Sequence, residues 1–364
     1  MSKIIIDARE SGTTTGRYID KLIEHLHTLK PKHEIVILAK AERTKYIGEI
    51  APSFTIVETP FREFTFEEQL GLNRQITDLH PYLVHFGMVQ QPVLYHGRVI
   101  TTMHDLITVR FRNPTKNPAV FWLKQQVYKW VNKKAARKSS AIITPTQYVK
   151  EDVADFTHVN PGKITVTLEA ADFISDKPTP VKEVEGKPFI MYVGRPMPHK
   201  NLRRLIDAFA IMQKTRPDLH LVLVGKTDAN YQQHEAYVKE KGIPNVIFTG
   251  FISEAQLRWL YEHTRAYAFP SLSEGFGLPA LEAQIHGAPV VSSNATCLPE
   301  IYGDSVAYFD PLGTTDMAAK IGEVVDDPII RDDLKEKGKQ NAAKYSWDRM
   351  AKQTLAVYEQ VLKP

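Results

Sequence analysis

The chain has 364 residues and a mass of 41.3 kDa, with 43% hydrophobic and 24% charged residues, enough for about two domains that each bury a core. Its single cysteine, Cys297, excludes an intramolecular disulfide and a cysteine-built zinc site, which fits a reducing compartment. No run of 18 apolar residues is present, so no membrane span is expected, and the acid at Asp7 comes too early for a signal peptide.

Short apolar runs alternate with longer amphipathic stretches from end to end. The first set of expected strands is Lys3–Ala8, Glu34–Ala39, Thr55–Glu58, Leu83–Phe86, Val99–Met103 and Ala141–Thr144. The second set is Phe189–Val193, Leu219–Val224, Val246–Thr249, Ala266–Phe269, Pro289–Ser292 and Ala307–Phe309. Many are apolar at consecutive positions, as in parallel strands covered by helices on both faces. The alternation predicts an α/β chain that binds ligands at the carboxyl ends of its strands. Between the sets, the proline-bearing stretch 173–188 reads as a linker. The expected layout is a first domain over 1–172, a second over 189–345 and a C-terminal helix over 346–364. Ser253 with Gln256 forms a capping box, and Asn201 precedes the helical repeat Leu202, Leu205, Ile206, Phe209 as a cap would. Thr315–Val325, Ile330–Lys344 and Trp347–Leu362 are further expected helices.

Four strand-to-helix loops carry polar chemistry. The first, Asp7 to Tyr18, holds Gly12 and Gly16, which allow close approach of backbone to a ligand. It lacks the G-x-G-x-x-G fingerprint, which argues against a dehydrogenase. The second ends a first-domain strand with His104-Asp105. That histidine faces the ligand side, where it can bond a sugar hydroxyl or shield developing positive charge; the plain alternative is a structural tie to Asp105. The third, Gly194 to Asn201, has Arg195 and Lys200 flanking a short loop. Two cations at a helix start oppose its dipole unless an anion lies between them, and a diphosphate would supply that anion. The fourth and densest is Ser273-Glu274-Gly275-Phe276-Gly277-Leu278-Pro279-Ala280-Leu281-Glu282. Gly275 and Gly277 permit a sharp turn, Pro279 suits a first helical turn, and the helix start offers N–H groups to a phosphate. Glu274 in the loop and Glu282 in the helix, seven residues between them, can accept bonds from sugar and ribose hydroxyls. No Asp-x-Asp pair for a divalent metal occurs in the chain.

Together these segments resemble retaining glycosyltransferases of family 4. The likeness is carried most specifically by Glu274–Ala283, EGFGLPALEA, and by Gly194-Arg195 with Lys200-Asn201. The segments IDAR…GRYI, MHDL and LPEIYGDSVAYFDP are similar to the branch of bacterial mannosyltransferases of surface-polysaccharide and lipopolysaccharide assembly. The resemblance implies the GT-B fold, two Rossmann-like parallel-sheet domains facing each other across a cleft, with an acceptor-side N-terminal domain and a final helix crossing back to it. It implies transfer of a hexose, mannose from GDP-mannose, to a lipid-linked or saccharide acceptor, without metal or cofactor. A UDP-sugar donor, or binding without transfer, are the alternatives.

By the same resemblance Glu274 and His104 contact the donor sugar, Arg195 and Lys200 clamp the diphosphate, and Glu282 holds the ribose. Gly16 lies near diphosphate and acceptor. The backbone of Phe251 and Ile252 edges the base, and Gly275, Phe276, Gly277 and Leu278 present N–H groups. Two segments depart from the family pattern: Thr14-Thr15-Gly16, and Leu168-Glu169-Ala170-Ala171-Asp172 near the domain junction.

The net charge of +4 is unevenly spread. Residues 1–172 hold 23 Lys+Arg against 18 Asp+Glu, and 106–150 hold ten basic residues and no acidic one. Within 121–138, Trp122, Tyr128 and Trp130 interleave with Lys124, Lys129, Lys133, Lys134, Arg137 and Lys138. Such a stretch suits peripheral contact with an anionic bilayer, at the inner face of the cell membrane for a cytoplasmic protein. A helix with its aromatics in the core is the plain alternative. Basicity without a recognition motif gives no reason to expect nucleic acid.

Overall fold

The computed structural model describes residues 2–13, 15–112 and 117–363; Thr14 and the part of the basic stretch at 113–116 lie outside the described residues. The chain forms two compact units. One comprises Met1–Val109, Trp122–Glu169 and Ser346–Pro364, the other Arg110–Phe121 and Ala170–Tyr345.

The first unit is built on seven parallel strands: β1 (Lys3–Asp7), β2 (Glu34–Ala39), β3 (Thr55–Glu58), β4 (Leu83–Phe86), β5 (Val99–Thr102), β6 (Ala141–Thr144) and β7 (Ile164–Val166), in the order β3-β2-β1-β4-β5-β6-β7. Ile4, Ile5 and Ile6 of β1 are fully buried, since helices cover both faces. Each such side chain contributes about 1.5–3 kcal/mol through burial. Strand β7 is absent from the expected set; Ile-Thr-Val is too short to show a period. The sheet reverses its winding between β1 and β4, and a ligand crevice belongs beyond the carboxyl ends of those two strands.

The final helix, Trp347–Leu362, packs on Arg17–Leu29 of this unit. Arg98 donates to the Val361 carbonyl at 3.2 Å, and the Tyr358 hydroxyl meets Nδ1 of the buried His85. Burial, and secondarily the charge of His104, push the His85 pKa down to about 3, so this histidine is neutral.

The second unit carries six parallel strands: β8 (Phe189–Val193), β9 (His220–Val224), β10 (Val246–Gly250), β11 (Ala266–Phe269), β12 (Val290–Ser293) and β13 (Ala307–Phe309), in the order β10-β9-β8-β11-β12-β13. Its winding reverses between β8 and β11, which pair Ile190 with Ala266. The capping box at Ser253 and Gln256 is present, starting the helix Glu254–His263.

The stretch 173–188, expected as a linker, is packed against the second unit rather than spanning free. Val181 and Val184 are buried, Phe173 stacks on His286 at 4.9 Å, and Arg258 donates to the carbonyls of Ile174 and Asp176. Its prolines preclude regular structure but not packing. The segment of the first unit that precedes this stretch accordingly ends at Glu169, three residues before the expected boundary, and the chain returns to that unit at Ser346.

Candidate active site

The loops that leave β8 and β11 run side by side at the reversal point of the second sheet. The chain after β8 makes a short turn over Pro198–Lys200 and then enters the helix Leu202–Gln213. That turn is tied to the neighbouring loop by Leu272 N–H, which donates to the His199 carbonyl at 2.7 Å. Lys200 Nζ meets Glu274 Oε1 at 2.6 Å, with the two side chains only 17% and 9% exposed. The ammonium also lies 5.7 Å from the Phe269 ring centroid. Burial, and then the Lys200 charge, push the adjacent His199 down to about 4. The pair therefore presents a nearly dry cation and a nearly dry carboxylate at one place, where both act more strongly than in water.

Asn201 is not the side-chain cap that its position promises. Its backbone is left-handed (φ 58°), so the amide turns inward. Nδ2 donates to the carbonyls of Pro270 at 3.1 Å and Pro311 at 2.7 Å, bracing the loops that follow β11 and β13. Glu274 is braced in turn. Its N–H donates to Thr296 Oγ1 at 3.1 Å, and Cys297 Sγ donates to its carbonyl at 3.3 Å. Thr296 holds φ 54°, a conformation costly for a β-branched residue, on the order of 1–3 kcal/mol. Strain of this kind persists where the surroundings over-determine the backbone.

Gly277 sits at φ 98°, and a Cβ there would lie 2.4 Å from the Tyr302 hydroxyl, which donates to the Gly277 carbonyl. Only glycine fits. The helix Leu278–Ile285 begins next, with Pro279 in its first turn as expected. Amides of a first turn precede any intrahelical acceptor, so Gly275 to Leu278 lead into an anion-favouring helix start. The ring of Phe276 is buried against Tyr345 at 5.5 Å, so what this residue offers a ligand is backbone. Glu282 is half-buried in the same helix, and its carbonyl accepts from His286 Nδ1 at 2.8 Å.

Arg195 stands apart from the Lys200–Glu274 pair. Its side chain is 66% exposed, and Nε donates to Asp228 Oδ2 at 3.0 Å. Asp228 caps the helix Ala229–Lys241; burial pushes its carboxyl up, but the N–H groups of Tyr231 and Asn230 and the Arg195 side chain hold it below the usual range. An exposed pair of this kind contributes at most about 1 kcal/mol, so the guanidinium can leave it for an anion at little cost. Phe251 follows β10 and is 88% exposed; Ile252 is half-buried.

The remaining expected residues belong to the first unit. Gly16 precedes the helix Arg17–Leu29, and a Cβ there would fall 1.7 Å from the Glu10 carbonyl oxygen, so the loop itself demands glycine. His104 follows β5. Its Nδ1 lies 2.9 Å from Glu169 Oε1 and its Nε2 3.0 Å from the Gly87 carbonyl. Beyond β1 and β4 a shallow open recess is lined by Asp7, Arg9, Glu10, Thr15, Glu63 and Gln90, among others. Arg9 is buried beneath it, forked onto Asp7 and paired with Glu68.

Among the described residues, no group of three or more His, Cys, Asp or Glu is placed to hold a metal ion. Sequence reasoning missed Asp228, Thr296, Glu68 and the bracing role of Asn201. Thr296 and Asn201 are both marked by a positive φ, which is invisible in the sequence.

Two family descriptions match adjoining parts of the chain: "Glycosyltransferase Family 4" over residues 15–172 and "Glycosyl transferases group 1" over 174–341. The chain is 28% identical over 291 residues to O-antigen chain mannosyltransferase B of Escherichia coli, covering 73% of this chain and 74% of that one. It is 29% identical over 277 residues to an MMP alpha-(1->4)-mannosyltransferase of Mycolicibacterium hassiacum, covering 72% and 66%. The fold matches sucrose-phosphate synthase from Thermosynechococcus elongatus with a TM-score of 0.78 at 18% identity over 99% of each chain. It also matches an Anabaena protein solved in complex with UDP, with a TM-score of 0.74 at 15% identity over 99% and 100%.

Proposed function

The chain belongs to the glycosyltransferases of family 4 and group 1, with two parallel-sheet domains of the GT-B type, and from that premise we propose that it transfers mannose from GDP-mannose to a saccharide acceptor, lipid-linked or polymeric, with retention and without a metal. The observation that carries this reading is the Lys200–Glu274 pair at the reversal point of the second sheet. The mannosyltransferase names of the two relatives support the choice of sugar.

The chemistry follows from charge. The bond between the anomeric carbon and the phosphate oxygen breaks, leaving a nucleoside diphosphate and an oxocarbenium-like sugar. Lys200, Arg195 and the amides leading into Leu278–Ile285 stabilise the negative charge that grows on the leaving group. Glu274 accepts from a sugar hydroxyl and Glu282 from the ribose. The acceptor hydroxyl bonds to the anomeric carbon on the face the phosphate leaves, and its proton goes to the departing phosphate, so no protein base is required. The carboxylates of Glu10 and Glu63 around the first-unit recess suit the hydroxyl groups of a saccharide.

A thermal-shift panel of GDP-, UDP- and ADP-sugars tests the donor. GDP-mannose at a hundred times its Kd is expected to add about 2.7 kcal/mol of stability. Stabilisation by a UDP-sugar alone would overturn the choice of base.

We further propose that the first unit meets the anionic inner face of the cell membrane. No helix among the described residues is long and apolar enough to cross a bilayer. The helix Pro118–Lys138 exposes Trp122, Leu123, Val127 and Trp130 beside its lysines. The exposed Phe64 reaches the same helix, its ring 6.3 Å from Tyr128. Together they supply apolar depth and basic charge. Co-sedimentation with vesicles rich in anionic lipid is expected to fall several-fold in a Lys133→Glu/Lys134→Glu variant. Binding indifferent to both lipid charge and this reversal would sink the idea.

A further inference from the structure

The segment Leu168–Asp172 departs from the family pattern, and the structure gives that departure a partner. Glu169 is buried, 5% exposed, and its carboxylate lies against the ring of His104. The two nitrogens of that ring face two oxygens: Nδ1 faces Glu169 Oε1 at 2.9 Å, and Nε2 faces the Gly87 carbonyl at 3.0 Å. A carbonyl oxygen only accepts, and an ionised carboxylate only accepts. A neutral imidazole has one N–H and would leave one of these short contacts as lone pair against lone pair. With a proton on each nitrogen both contacts become hydrogen bonds, one of them charge-assisted, and the buried carboxylate gains a counter-ion.

We propose that Glu169 is a positioning residue that holds His104 as an imidazolium, so that His104 serves the reaction as a fixed positive charge and never as a base. An imidazolium has no lone pair with which to take the proton of an acceptor hydroxyl. It also cannot shield developing positive charge on the sugar, one of the roles open to it from sequence. It favours anionic oxygen, and its charge suits the diphosphate of the donor.

The other groups around the ring agree. Asp105, in the same loop, adds a second negative charge, and His85 of β4 is held neutral. Tyr18 of the helix Arg17–Leu29 meets the ring edge-on at 4.8 Å, and its hydroxyl bonds Thr102 with the phenol held un-ionised by burial. Burial alone would lower the His104 pKa, but the hydrogen bond and charge of Glu169, then Asp105 and the Gly87 carbonyl, bring it above the ordinary imidazole value.

The test reads protonation directly. In protein with ¹⁵N-labelled histidine, the His104 resonances, assigned by their loss in His104→Asn, are expected to report two protonated nitrogens at pH 7. Their midpoint is expected above that of a free imidazole, and Glu169→Gln is expected to lower it by about one pH unit or more. A neutral ring at pH 7, or a midpoint that Glu169→Gln leaves in place, overturns the proposal. Should Glu169→Gln fail to fold, the wild-type titration alone decides.

The rate readout rests on the transfer reaction proposed above. There kcat/KM is expected to fall as pH rises through the His104 midpoint, and Glu169→Gln is expected to bring that fall to lower pH. A rate that instead climbs through the midpoint marks His104 as a base and overturns the proposal. The titration needs no donor, so an error in the assigned substrate leaves it readable.

Discussion

Glu274→Gln is expected to lower glycosyl transfer at least a hundredfold while leaving the melting temperature within a few degrees of wild type. The amide keeps the shape of the carboxylate and still accepts from Lys200, and the long lysine stem, the more exposed of the two side chains, can carry its ammonium toward water, so little folding energy is lost. What disappears is a buried negative charge 2.6 Å from the ammonium and the acceptor strength it lends toward a sugar hydroxyl. Loss of one preorganised electrostatic group of this kind costs roughly 3 kcal/mol in the transition state. Lys200→Ala is expected to lose activity similarly and also stability, because it leaves Glu274, 8% exposed, without its counter-ion. The double variant Lys200→Ala/Glu274→Ala is expected to regain most of that stability and none of the activity. This separation of fold from function is read by melting curves beside the initial rate of nucleoside diphosphate release. A double variant that still turns over the donor would remove the pair from the site.

The largest expected effect on stability lies in the other unit. Arg9 is 2% exposed and its guanidinium lies between two carboxylates. Nε and Nη2 fork onto Asp7 at 2.9 and 2.8 Å, Nη1 meets Glu68 at 2.9 Å, and Nη2 donates to the Gln90 carbonyl at 3.2 Å. Arg9→Met would leave two buried carboxylates facing each other without a cation, and the expected cost is about 3–5 kcal/mol in urea denaturation. Burial already pushes the Glu68 carboxyl above the usual range, even with Arg9 beside it. Neutralising the partners as well, in Arg9→Met/Asp7→Asn/Glu68→Gln, is expected to recover most of the loss. A single Arg9→Met variant as stable as wild type would mean that the triad does not hold the loop beyond β1.

Much of this architecture is legible in the residues themselves. Apolar runs such as Ile4-Ile5-Ile6 and Leu221-Val222-Leu223 mark strands buried on both faces, and twelve of the thirteen strands among the described residues follow from such runs. The turn at Gly275 to Pro279 and the capping box at Ser253 are equally local, since each depends on neighbours within a few residues. The aromatic-basic helix near 121–138 is legible as a helix, but not whether its tryptophans face the core or solvent. They are exposed, because the buried face of that helix is made by Asn132, Ala135 and Ala136 instead.

Sequence by itself determined the class of fold, the two parallel sheets in outline, and the Lys200 and Glu274 loops as the chemically loaded ones. Those features are set by periodicity and by backbone preferences acting over short range. Tertiary structure alone decided the partners. Arg195 turns to Asp228, thirty-three residues away, Arg9 finds Glu68 as well as Asp7, and Asn201 braces Pro270 and Pro311 rather than capping its helix. The charge of His104 belongs to the same class. A side chain's proton depends on which acceptors and how little water surround it, and both are fixed only when Glu169 and Gly87, distant in the chain, close on the same ring.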